Sequence, residues 1–118
     1  MNQNTIVLCA SSAYEQKYYL NEAFEGLPKQ IKDELKIMSV LFTEDVGGIL
    51  TLCFDEEGSL FFQTEADEGD YLYDEIGSVL KIKQLQSEKG ELLEALELYY
   101  KVFFLKEDAA ELLKTEGE

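Results

Sequence analysis

The 118-residue sequence contains no histidine, no arginine and no tryptophan, and its one proline is Pro28. Without imidazole or guanidinium there is no histidine base, no histidine metal ligand and no arginine clamp for an anion. Cysteine is scarce too. Cys9 and Cys53 sit in apolar runs without metal-type spacing, so two reduced, buried thiols are expected. A cysteine nucleophile needs a partner that lowers its pKa, and neither cysteine has a lysine within its own apolar run. Ser11-Ser12 and Ser59 lack a G-x-S-x-G setting, and Gly47-Gly48 is not followed by the Gly-Lys-Ser/Thr of a phosphate loop. Long hydrophobic runs are also missing. No apolar stretch is long enough to span a bilayer, and residues 1–5 lack the basic start of a secretory leader. A cytoplasmic, non-enzymatic protein with no cofactor is the expectation.

Positive charge is in short supply: ten lysines face 25 acids, for a formal net charge of −15. Residues 47–75 hold nine of those acids and no lysine. Such a field repels phosphate backbones and anionic lipid, so neither nucleic acid nor membrane is an expected partner. Solubility explains the excess; a basic protein partner is the sharper alternative.

Against these absences stands a 46% hydrophobic composition, enough to form a core in a chain of one-domain length. Residues 5–10 (T-I-V-L-C-A) read as a strand that Ser11-Ser12-Ala13 ends. Residues 15–21 are ambiguous, with the tyrosines favouring a strand. Pro28 suits the first turn of a helix running to about Lys36, with Ile31 and Leu35 on one side. Residues 37–43 either extend that helix or begin a strand. Their apolar side chains cover every angle of a helical wheel, while Met38, Val40 and Phe42 would share one strand face, which favours the strand. Residues 49–54 and 59–64 are strand-like around the hairpin loop Asp55-Glu56-Glu57-Gly58. Asp70 is a plausible N-cap for helical sequence that continues to about Leu105. That region carries two apolar stripes at different angles: Leu72, Ile76, Val79 and Leu80 first, then Leu92, Leu93, Leu96, Tyr99, Tyr100 and Phe103. The phase shift near Ile82 to Leu85 predicts either a break or a long helix burying two surfaces. The fold class is therefore α+β: an antiparallel β-meander centred on residues 37–65, packed against a short helix and a long C-terminal helical region. Residues 1–105 form the expected domain and residues 106–118 a polar tail.

Two candidate sites follow. Asp67, Glu68, Asp70 and Asp74 offer the oxygen ligands a hard cation prefers, although their spacing is not that of an EF-hand loop. A solvated loop with a helix cap accounts for the same residues, so cation binding or an acidic decoy acting through residues 44–75 is the secondary reading. The primary one is an interaction surface. One small domain has difficulty covering two helical stripes, and self-association as a homodimer through Tyr71, Leu85, Leu92, Leu96, Tyr99, Tyr100 and Phe103 resolves this.

The runs Tyr14-Glu15-Gln16-Lys17-Tyr18-Tyr19, Leu41-Phe42-Thr43-Glu44-Asp45-Val46-Gly47-Gly48 and Asp74-Glu75-Ile76-Gly77-Ser78 carry a resemblance. Up to about Phe103 the chain resembles a small uncharacterised family of Gram-positive bacterial proteins, a domain of unknown function. The resemblance implies a bacterial cytoplasmic setting and brings no activity with it.

Overall fold

Ile6–Ser12 form strand β1 and Lys17–Leu20 strand β2, an antiparallel hairpin in the computed structural model, which describes residues 5–106. A 3-10 turn at Glu22–Phe24 leads into helix α1, Lys29–Val46. Strands β3 (Ile49–Phe54) and β4 (Leu60–Glu65) make a second hairpin, and helices α2 (Glu75–Glu88) and α3 (Gly90–Phe103) complete the order. The four strands run antiparallel in the order β2-β1-β3-β4, so the protein is α+β, a sheet backed by helices. The tail expected over residues 106–118 lies, except for Lys106, outside the described residues.

The sheet differs from the expected meander at residues 37–43, which continue α1 and are not a strand. The inward face of α1 is Leu35, Met38, Ser39, Phe42, Thr43 and Val46, spaced three and four apart. Two of these six are polar, and they meet polar partners on β1. Ser11 Oγ lies 2.9 Å from Thr43 Oγ1, and Cys9 Sγ lies 3.9 Å from Ser39 Oγ. On the outward side Ile37 and Leu41 remain exposed, so apolar residues do surround the helix. The place left vacant in the sheet goes to β1, which pairs with β3 from Ile6↔Phe54 to Ser12↔Ile49. Ser11 and Ser12 thus extend the strand they were expected to end, because Thr43 satisfies the buried Ser11 hydroxyl.

A bulge in β1 between Val7 and Cys9 turns two successive residues, Leu8 and Cys9, into the core. Asn21 takes up the carbonyls around it: its side-chain amide donates to Val7 O at 2.7 Å and its backbone N–H to Leu8 O at 3.0 Å. Its side-chain oxygen also caps the 3-10 turn through Ala23 N. That turn delivers Phe24 to the centre of an aromatic cluster with Phe54, Tyr100 and Phe104, at ring-centroid separations of 5.7, 6.3 and 4.7 Å. The cluster joins the β3 end of the sheet to α3, while α1 covers β1 and β3; α2 packs on α1 and α3.

Both cysteines are free and buried. Burial pushes the Cys9 thiol from its ordinary 9.0 up to about 11, and raises Cys53 as well. The unfolded chain releases the Cys9 proton near 9.0 while the folded chain holds it to about 11. The stability associated with Cys9 is therefore complete below pH 9 and falls as pH rises to 11, by up to ~1.4 kcal/mol per pH unit. Urea midpoints should be level from pH 7.5 to 8.5 and decline above 9; a midpoint unchanged at pH 10.5 would contradict this account.

Candidate functional site

The segment between β4 and α2 is secured at three places. Tyr14, in the β1–β2 turn, donates from its hydroxyl to Asp70 Oδ2 at 2.5 Å and accepts from Asp67 N at 2.9 Å. That hydroxyl holds the Asp70 carboxyl below its ordinary value. Further along, Tyr73 lies against Gly48 and donates its hydroxyl to Ser78 Oγ at 3.0 Å. Finally Asp74 N donates to Val46 O at 2.9 Å, joining the start of α2 to the end of α1. Asp74, not Asp70, is the N-cap, its carboxylate accepting from Gly77 N at 2.8 Å. Asp70 instead accepts from Leu72 N at 3.0 Å, closing a turn within the loop.

This fastening leaves large apolar side chains facing solvent. Tyr71 is 96% exposed, Leu72 92%, Ile76 76%, Leu80 62% and Val79 53%. On α2 the exposed members are spaced three and four apart and so share one face. The opposite face carries Ser78, Ile82 and Leu85 into the chain's own packing, and Lys81 and Lys89 reach back to Asp45 and Glu34 of α1. Helix α2 is thus apolar on two sides and covered on one. Together the five exposed side chains present on the order of 700 Å², close to the ~800 Å² per partner of a standard interface.

The seven residues expected at an interface do not form one surface. Leu85, Leu92, Leu96 and Tyr100 are buried in the core, the last three because α3 covers the aromatic end of the sheet. Tyr99 is half-buried against Phe24 and Phe103, and Phe103 is exposed at the far end of α3. Tyr71 is exposed in the segment that leads into α2. Its neighbours Leu72, Ile76, Val79 and Leu80 belong to the first of the two stripes legible in the sequence. The signal is that stripe; of the second, Leu92, Leu96 and Tyr100 are core while Phe103 is exposed. The break between the two helices falls at Lys89, later than the phase shift suggested.

The acidic candidates are dispersed among other tasks. Asp70 and Asp74 make the bonds just described, Asp67 contributes its backbone, and Glu68 is exposed. Among the described residues no three or more cysteine or carboxylate groups gather as a metal site. A cleft of about 810 Å³ runs between the β1–β2 hairpin and the second half of α1. Its charged lining is two lysines, Lys17 and Lys36, and two acids, Glu44 and Asp45, and the buried Ser11 and Thr43 hydroxyls beneath already pair with each other. Leu72 lies on its wall, so this cleft adjoins the exposed apolar surface. The groups whose protons are held most firmly, Cys9 and Tyr18, are held by burial.

No described helix is long and apolar enough to cross a membrane. No curated protein and no solved structure matches the chain. A sequence-family comparison does: residues 5–108, spanning both hairpins and all three helices, match a family model, and the chain belongs to the family of unknown function DUF6145.

Proposed function

We propose that this protein is a non-enzymatic, cytoplasmic interaction module that self-associates through the apolar face formed by Tyr71, Leu72, Ile76, Val79 and Leu80. The observation that carries the reading is a well-secured loop and helix holding five large apolar side chains in water. Exposed apolar residues scattered singly are ordinary, whereas three sharing one helix face, with two more just before it in the chain, mark a contact surface. The chain's net charge of −15 opposes self-association, so an uncovered patch on so acidic a protein is the more telling. The absence of histidine and arginine from the sequence supports a role in contact over chemistry.

Light scattering after gel filtration, over a hundredfold range of concentration, tests the proposal. The wild-type chain should approach twice its monomer mass of 13.5 kDa at high concentration. Ile76→Lys should leave a monomer at every concentration, because an ammonium group buried at this apolar contact has no partner there. Its melting temperature should stay within a few degrees of wild type, since Ile76 is exposed within the monomer. A wild-type chain that stays monomeric throughout would sink the proposal. In that case, stabilisation by a basic peptide would direct attention to the acidic segment at residues 44–75.

A further inference from the structure

We infer that two copies of this chain pack α2 against α2 antiparallel, with the two-fold axis between Val79 and Leu80 and each Lys83 paired with Glu75 of the other copy. The inference rests on the self-association reading and adds its geometry. Its first support is the distribution of lysine partners. Lys29, Lys32, Lys81 and Lys89 each have a carboxylate within the chain. Lys83 has no ion-pair partner among the described residues, and neither has the Glu75 carboxylate; Lys17 and Lys36 also lack one, but they lie on β2 and α1, away from this face. Yet Lys83 lies three, four and seven residues after Leu80, Val79 and Ile76, within the apolar face itself.

An unpaired cation in an apolar stripe of a strongly acidic protein calls for a carboxylate from outside. An antiparallel second copy supplies one. With the axis between Val79 and Leu80, Val79 of each copy meets Leu80 of the other. Ile76 then meets the aliphatic stem of the second copy's Lys83, and the ammonium group extends past it to Glu75. The arrangement is self-complementary, as a two-fold interface must be, and it sets the helix dipoles antiparallel. Tyr71 and Leu72, beyond the N-terminus of α2, reach over Ser87 and Glu88 of the second copy, both exposed and positioned to be covered. A parallel arrangement would place Lys83 against Lys83 and the acidic helix starts against each other. That is unfavourable.

Charge reversal and cross-linking test the geometry. Dissociation constants measured by sedimentation at low salt should rise about tenfold for Lys83→Glu and for Glu75→Lys, since each reversal acts at two symmetric contacts. The double variant should return to within about twofold of wild type. Independently, Val79→Cys should form an intermolecular disulfide under mild oxidation. Ile76→Cys should not, because in this register the two copies of residue 76 lie about seven residues, or ~10 Å, apart along the helices. A dimer that tolerates both reversals, or that cross-links readily at residue 76, overturns the antiparallel register while leaving self-association in place. A protein that never dimerises overturns both.

Discussion

Phe24→Ala should reduce the unfolding free energy by about 3–5 kcal/mol, the largest single effect expected of an apolar truncation in this chain. Phe24 is fully buried, and its ring stacks on Phe54, Tyr100 and Phe104 while lying 6.4 Å from Tyr99. The residues it touches come from β3, from α3 and from the turn just after α3. Removing the ring therefore opens a cavity between the two layers, not within one of them. Besides the ring, the 3-10 turn that carries it is held by the Asn21 cap, by Lys32 reaching Glu25, and by Leu27 a few residues on. Relaxation of the turn would fill part of the space, which is why a range is expected. Small domains are stable by ~5–15 kcal/mol, so the variant should be partly unfolded at moderate urea where the wild type is intact. Urea denaturation followed by tyrosine circular dichroism measures this directly. Phe24→Leu should recover about half of the loss, since it restores volume without the aromatic contacts. A loss under ~1 kcal/mol for Phe24→Ala would mean that the aromatic cluster does not join sheet to α3.

How far these features could be read from sequence depended on whether local pattern or distant partners decided them. The β3–β4 hairpin was legible because β-rich runs flank Asp55-Glu56-Glu57-Gly58, and Asp55 does organise that turn, accepting from Glu57 N and Ser59 N at 2.9 Å each. The second half of α1 departs from its local pattern for a tertiary reason. Ser39 and Thr43 count as polar in any pattern, yet they belong to its core face because Cys9 and Ser11, some thirty residues earlier, receive them. Ile37 and Leu41, apolar yet exposed, blur the helical pattern further. The same ambiguity affected the interface residues. Two apolar stripes were visible in the C-terminal region, but nothing local distinguishes a stripe that covers a sheet from one left uncovered. That choice was made by Phe54 and Phe24, which hold α3 and leave α2 on the outside. Asp70 and Asp74 are equally good caps by residue type, and Tyr14, 56 residues before Asp70, took Asp70 for the loop.

Gly48→Ala is expected to act on stability and on self-association together, which makes it the most direct link between the fold and the proposed surface. Gly48 has φ +72°, where an L side chain costs about 1–2 kcal/mol. A Cβ there would also stand 2.7 Å from the backbone oxygen of Glu65 and 2.8 Å from the ring of Tyr73. Neither neighbour yields easily: one is a strand carbonyl in β4, the other is the aromatic seat of the segment leading into α2. The combined cost should be about 2–4 kcal/mol, read from urea midpoints. Gly69 supplies the control, since its φ of +83° carries the same conformational penalty while a Cβ there meets nothing within 4 Å. Gly69→Ala should therefore lose only the smaller conformational part, and the difference between the two variants isolates the collision with Tyr73 and β4. Displacing Tyr73 shifts its neighbours Tyr71 and Leu72, so the folded fraction of Gly48→Ala should also self-associate about tenfold more weakly than wild type. If Gly48→Ala proves destabilised but associates normally, Tyr71 and Leu72 lie outside the contact, and the working surface contracts to Ile76, Val79 and Leu80 on the helix.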